Sequence, residues 1–326
     1  MNFANHALSG GRREFLLRAA VLAAPFPAFA QSRQWSPTRQ VTIINPFSPG
    51  GSADLVARTL APKLSELWGQ SVIVENRAGA SSAIGTNLVA RSPGDGHTLL
   101  INVNGILLTP YLVKPLPYNL EKDIVPVASL AFSSMLLLSS VATPDKSLRE
   151  FVAAGAARSI GYSDGFSQLI ATRLAVTTGK NFILVPYKGA GPLVNDLYGG
   201  QVNGGIVSVI AGSNLLKSGK VNAIAVLADE RSRLLPDVPT SSEQGIKGIT
   251  TPLWISAFVS GTTPPSVQQQ INADLRTAMS DPTVRATLLK SGADLSTEDL
   301  DQFRRRYLTE MEETKGFAKH ANFVAE

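Results

Sequence analysis

Val41-Thr42-Ile43-Ile44-Asn45-Pro46-Phe47-Ser48-Pro49-Gly50-Gly51-Ser52-Ala53-Asp54 carries the architecture in miniature. Residues 41–44 are apolar and largely β-branched, as in a buried strand. Pro49, Gly50 and Gly51 force a tight turn, and residues 54–67 then place Leu60, Leu64 and Leu67 on one helical stripe. Pro62 lies inside that segment and is expected to kink it or to cost a backbone hydrogen bond. Strand, glycine-rich turn and helix in direct succession form the building unit of α/β sheets.

The unit recurs. Residues 71–74, 98–101, 135–140, 182–185, 206–210, 223–227 and 254–259 read as further buried strands, with helical patterns over 166–178 and 192–198. The alternation predicts α/β sheets with helices on both faces. The last part changes character: Val267, Ile271, Leu275 and Met279 recur every four residues until Asp281-Pro282. Ser296 with Asp299 matches a capping box, and Leu300, Phe303, Tyr307 and Met311 make a second stripe. Arg304-Arg305-Arg306 then falls on the solvated face. No strand is expected after these helices, so they must pack on a lobe already built.

Composition narrows the function. The chain has 326 residues, 44% hydrophobic and 17% charged, enough for two medium-sized lobes and too apolar for a disordered chain. Of its formal charge of +5, Arg12, Arg13, Arg18 and Glu14 supply a net two, leaving a thin basic surplus. Nucleic acid requires a concentrated basic face and is set aside. With no cysteine there is no disulfide framework, thiol nucleophile or thiolate metal site. Among three histidines, His6 lies near the N-terminus, and His97 and His320 lack metal-ligand spacing, so neither metal nor cofactor is expected. His97 reads as a structural loop residue.

Residues 1–30 read as an export signal. Arg12-Arg13-Glu14-Phe15-Leu16 precedes an apolar run too short to span a membrane, and Ala28-Phe29-Ala30 is a small-x-small cleavage site before Gln31. The arginine pair resembles a twin-arginine signal; an ordinary secretory signal is the other reading. Both send the mature chain to the periplasm.

Candidate chemistry sits at strand ends. Phe47, Ser48, Pro49, Gly50, Gly51, Ser52 and Asp54 lie where backbone N–H groups at a helix start can hold an anion, with Ser52 or Asp54 available as a cap. The turn lacks the Lys-Ser/Thr of a phosphate loop and the glycine spacing of a dinucleotide site, and such a turn is as readily only a turn. Asn102, Asn104 and Gly105 close the strand at 98–101, where open α/β sheets bind ligands. Tyr187, Lys188, Gly189, Ala190 and Gly191 repeat the theme. Gly161-Tyr162-Ser163-Asp164-Gly165 matches the nucleophile elbow of serine hydrolases, with His320 downstream. The preceding residues make a feeble strand, however, and Ser163, Asp164 and Gly165 read better as a turn at a pocket edge.

In this order the chain resembles the tripartite tricarboxylate transporter receptors, the Bug-type periplasmic solute-binding proteins. The markers are residues 46–54, Val74-Glu75-Asn76-Arg77-Ala78-Gly79-Ala80, Gly94-Asp95-Gly96-His97-Thr98, Leu116-Pro117-Tyr118, Val185-Pro186-Tyr187-Lys188-Gly189 and Gly199-Gly200-Gln201-Val202. Residues 231–240 and Gly261-Thr262-Thr263-Pro264-Pro265 complete the set. The resemblance implies a two-lobed, Venus flytrap fold of the type II periplasmic-binding class with a ligand cleft between lobes. Lobe one would comprise 31–140 plus 262–326, and lobe two 141–261. It implies no catalysis, a small organic carboxylate as ligand and membrane permease subunits as partners; the chain is expected to be a monomer. Three features depart from the family. The loop at 161–167 is short, the segment around 102–108 is a residue short, and Val207-Ser208 stands where relatives carry Asp-Asn, so Val207 replaces the acidic group, Ser208 the amide, and an amino-acid ligand is disfavoured. A ligand-sensing role in a signalling system and a serine esterase are the alternatives.

Overall fold

The computed structural model describes residues 35–320; the export signal expected at 1–30 lies outside them. Among the described residues, eleven strands form two mixed sheets. They are β1 (Val41–Asn45), β2 (Val72–Asn76), β3 (Thr98–Val103), β4 (Ile124–Ser133), β5 (Met135–Ser140), β6 (Ser159–Tyr162), β7 (Ile183–Pro186), β8 (Gly204–Ser208), β9 (Val221–Leu227), β10 (Leu253–Ser260) and β11 (Asp294–Leu295). The first sheet has the order β11-β4-β10-β3-β1-β2 and the second β7-β6-β8-β5-β9. β1 runs parallel to β2 and β3, and β10 is antiparallel to β3 and β4. In the second sheet β6 is parallel to β7 and β8, while β5 is antiparallel to β8 and β9.

The helices in chain order are α1 (Ser52–Trp68), α2 (Ala83–Ala90), α3 (Thr109–Leu112), α4 (Leu120–Asp123), α5 (Leu148–Ala154), α6 (Gly165–Thr178), α7 (Ala190–Tyr198), α8 (Val209–Leu216), α9 (Pro265–Ser280), α10 (Pro282–Lys290) and α11 (Leu300–His320). α1 runs unbroken through Pro62, which is exposed; its missing N–H leaves the expected gap in the helix hydrogen bonds without ending the helix. Trp68, at the end of α1, donates to Asp274 Oδ2 of α9 at 2.7 Å and fixes that C-terminal helix beside the first sheet.

Several expectations need correction. β4 escapes notice because it contains Pro126, a residue central strands avoid. Pro126 pairs with Phe258 beside a register shift between Ala257 and Phe258, where a bulge tolerates the missing N–H. β6, expected to be feeble, is an interior strand. The strand expected over 206–210 stops at Ser208, whose hydroxyl accepts from Ala211 N–H and starts α8. Two-residue β11 follows α10, where no strand was foreseen. The cap of α11 is Asp299, reciprocally bonded with Gln302, rather than Ser296. The chain passes between sheets at Ser134 and again across 228–252. β5 therefore lies in the second sheet and β10 in the first, one strand earlier than boundaries at 140/141 and 261/262 imply.

The arginine run is not simply solvated. Arg306 pairs with Glu298 at 2.7 Å and Glu310 at 2.8 Å and lies over the Phe132, Trp254 and Phe303 rings. Arg304 donates to Gln268 and to the Pro126 carbonyl, and only Arg305 of the three is exposed. Burial opposes the Arg306 charge, and its two carboxylate partners outweigh that opposition and raise its pKa.

Candidate functional site: a cleft between two helix starts

The β1–α1 loop and the β7–α7 loop come from different sheets and touch. Ser48 donates its N–H and its hydroxyl to the Lys188 carbonyl, at 3.2 and 3.1 Å. Gly189 has φ +148°, and a Cβ there would stand 2.7 Å from Ser48 N, so only glycine permits this approach. A second crossing joins Gly105 to the start of α6, where a Cβ on Gly105 would meet Phe166 N at 2.9 Å.

Between these crossings a cavity of about 30 Å³, room for roughly two waters, is walled by Gly51, Ser52, Asp54, Gly189, Ala190 and Asp164, with apolar Phe47, Val103, Met135, Val207 and Leu253. Ser163 and Ser208 complete its polar edge. An adjoining space of about 210 Å³ shares Phe47, Ser163 and Asp164 and adds Tyr187, Lys188 and residues 79–82.

Two helix N-termini, one from each sheet, open onto the small cavity. The N-caps of α1 and α7 are Gly51 and Gly189, neither of which has a side chain to satisfy the first N–H groups. By contrast α5, α6, α8 and α10 are capped by Ser147, Asp164, Ser208 and Asp281. Uncapped N–H groups and two converging helix dipoles favour an anion in this space.

Asp54 organises the first loop. Its carboxylate accepts from Gly50 N–H and Arg58 Nε at 3.1 Å, Asn76 Nδ2 at 2.9 Å and Asn45 Nδ2 at 3.4 Å. Burial alone would raise the Asp54 carboxyl; these hydrogen bonds and the Arg58 charge outweigh it and hold it below the usual carboxylate range. Asn76 also donates to the Phe47 carbonyl at 3.0 Å. Asp54 is therefore a brace, with its oxygens engaged.

Asp164 caps α6 in a reciprocal capping box with Ser167. Its Oδ1 accepts from Phe166 N–H at 2.8 Å and Ser167 N–H at 3.0 Å, and its Oδ2 meets Ser163 Oγ at 3.3 Å. Burial pushes this carboxyl up, further than those hydrogen bonds pull it down. Tyr187 donates to Asp196 at 2.7 Å; burial and then that partner push its pKa up to about 12, and its hydroxyl is already engaged.

Other expected residues stand elsewhere. Asn102 is fully buried, bonded to Thr86 Oγ1 and Val103 N–H, and Asn104 donates to the Pro252 carbonyl. Neither lines the two cavities; Val103 occupies the wall at the end of β3. Ser48, Pro49, Gly50 and Gly191 border a separate depression of about 470 Å³, lined from both loops, that does not include the two helix N-caps. Gly165 packs against the Gly105 carbonyl. Ser163 follows a true strand and precedes a helix, but its hydroxyl pairs with Asp164, and His97 accepts Thr38 N–H at 3.1 Å within the first sheet's periphery. Sequence reasoning missed the 79–82 loop, where Ala80, Ser81 and Ser82 all have positive φ, a strained conformation concentrated at functional sites. Its only signal was the marker run at 74–80.

The family model described as "Tripartite tricarboxylate transporter family receptor" matches residues 56–322. The chain belongs to this receptor family. Protein BugT of Bordetella pertussis is 31% identical over 291 residues, 87% of this chain and 89% of BugT. MatC from Rhodopseudomonas palustris with bound malate is 29% identical at a TM-score of 0.81, covering 86% of this chain and 99% of that one. Rpa4515 of R. palustris with adipate is 30% identical at a TM-score of 0.82, covering 89% and 99%. The receptor has the two-lobed periplasmic-binding fold and is a solute-binding protein, not an enzyme. The esterase reading falls with that assignment.

Proposed function

We propose that this receptor captures a small carboxylate-bearing organic solute between its two sheets and delivers it to membrane permease subunits of a tripartite transporter. One observation carries the reading. The uncapped starts of α1 and α7 meet at a single cavity, so a ligand carboxylate supplies the cap that neither Gly51 nor Gly189 can. Malate and adipate in the two similar structures support the ligand class. The lobes follow the two sheets, and the Ser48–Lys188 contact belongs to the closed state that a permease would recognise. The export signal at 1–30 places the mature monomer in the periplasm.

The test is a thermal-shift screen of the chain from Gln31 against carboxylic acids and their amides. A ligand bound only by the folded state adds about 2.7 kcal/mol at a hundredfold excess over its Kd. Stabilisation by acids but not by their amides is the expected result; equal stabilisation by both removes the anion argument.

A further inference from the structure

The cleft holds three charged side chains, Asp54, Asp164 and Lys188, and they are not equivalent. Lys188 is exposed at the outer cavity. Asp54 has its two oxygens occupied by four donors. Asp164 is different. Its Oδ1 is committed to the α6 cap, whereas its Oδ2 accepts only the long contact from Ser163. A carboxylate has about four acceptor positions, so Oδ2 retains capacity toward the cavities that Asp164 lines.

This carboxylate borders the same space of about 30 Å³ as the two uncapped helix starts. A ligand carboxylate held by those N–H groups therefore brings its neighbouring carbons against Asp164. A second carboxylate at that point would face like-charge repulsion, whereas a hydroxyl or ammonium would donate to Oδ2. Resting on the carboxylate reading above, we propose that Asp164 is a specificity residue: the receptor selects acids bearing a hydrogen-bond donor on a carbon close to the carboxylate. The acidic group absent at Val207-Ser208 is supplied from another loop, shortened so that the helix cap itself enters the cleft. A 2-hydroxy or 2-amino acid is then favoured, reversing the expectation drawn from Val207-Ser208 alone.

The test compares matched acids by calorimetry: lactate and alanine against propionate, and malate against succinate. Wild type should prefer the donor-bearing member of each binding pair by at least tenfold. Asp164→Asn keeps the helix cap, because asparagine caps as well as aspartate, and presents an amide N–H₂ in place of Oδ2. That variant should lose or invert the preference, with an unchanged melting temperature for the free protein. If acids bind but wild type shows no preference, or the variant keeps it, the role of Asp164 is overturned and the carboxylate reading stands. If none of these acids binds while neutral amides do, both fall.

Discussion

Ser48 and Lys188 lie 140 residues apart, yet both polar hydrogens of Ser48 point to the Lys188 carbonyl, with Gly189 passing against Ser48 as the next residue. This contact closes one end of the cleft. Loops read separately in the sequence as glycine-rich turns are two halves of one latch.

Gly189→Ala places a methyl against Ser48 N and strains a positive φ. The variant should fold but fail to close. Small-angle scattering should lose the compaction that a binding acid induces, and affinity should drop by at least tenfold. Full compaction with unchanged affinity would remove the latch from the binding mechanism.

Asp54 gives a pH signature. Its folded pKa lies below the ordinary carboxylate range, so its stabilisation is present above about pH 4 and disappears as pH falls through the depressed folded value. Asp54→Asn should cost about 2 kcal/mol at pH 7, measured by urea unfolding. The difference from wild type should shrink toward pH 2. A pH-independent difference would mean that packing, rather than the carboxylate's charge, explains the loss.

Arg306 is a structural cation remote from the cleft. Arg306→Ala leaves Glu298 and Glu310 without their partner and strips cover from three aromatic rings. A loss of about 3 kcal/mol is expected, with ligand affinity retained. An unchanged urea midpoint would show the pairs to be solvated ornaments.

Ser163 should be chemically inert. Neither wild type nor Ser163→Ala should release p-nitrophenol from short esters above the buffer rate, because the Ser163 hydroxyl pairs with Asp164 and His97 is engaged by Thr38 N–H, while the His320 side chain lies outside what the structure describes. Hydrolysis by wild type that Ser163→Ala abolishes would restore the esterase.

The α/β architecture is readable in periodicity because buried strands such as β1 and β3 are almost unbroken apolar runs. β4 is hidden by Pro126, acceptable only where Phe258 meets a register shift. The glycine turns at 49–51 and 189–191 mark the site, since a backbone approach leaves its trace in glycine. The brace is less visible: Asn45, Arg58 and Asn76 are ordinary polar residues until folding gathers them around Asp54. Asn102 looks like a ligand contact from its position, but Thr86 and its own neighbour's N–H claim its amide.

The most direct measurement is the calorimetric affinity of wild type for its best acid and for that acid's primary amide. The convergence of α1 and α7 on one cavity predicts at least a hundredfold preference for the acid, reduced when the Gly189→Ala latch variant is used. Equal affinity for acid and amide would contradict the claim that two uncapped helix starts define the site.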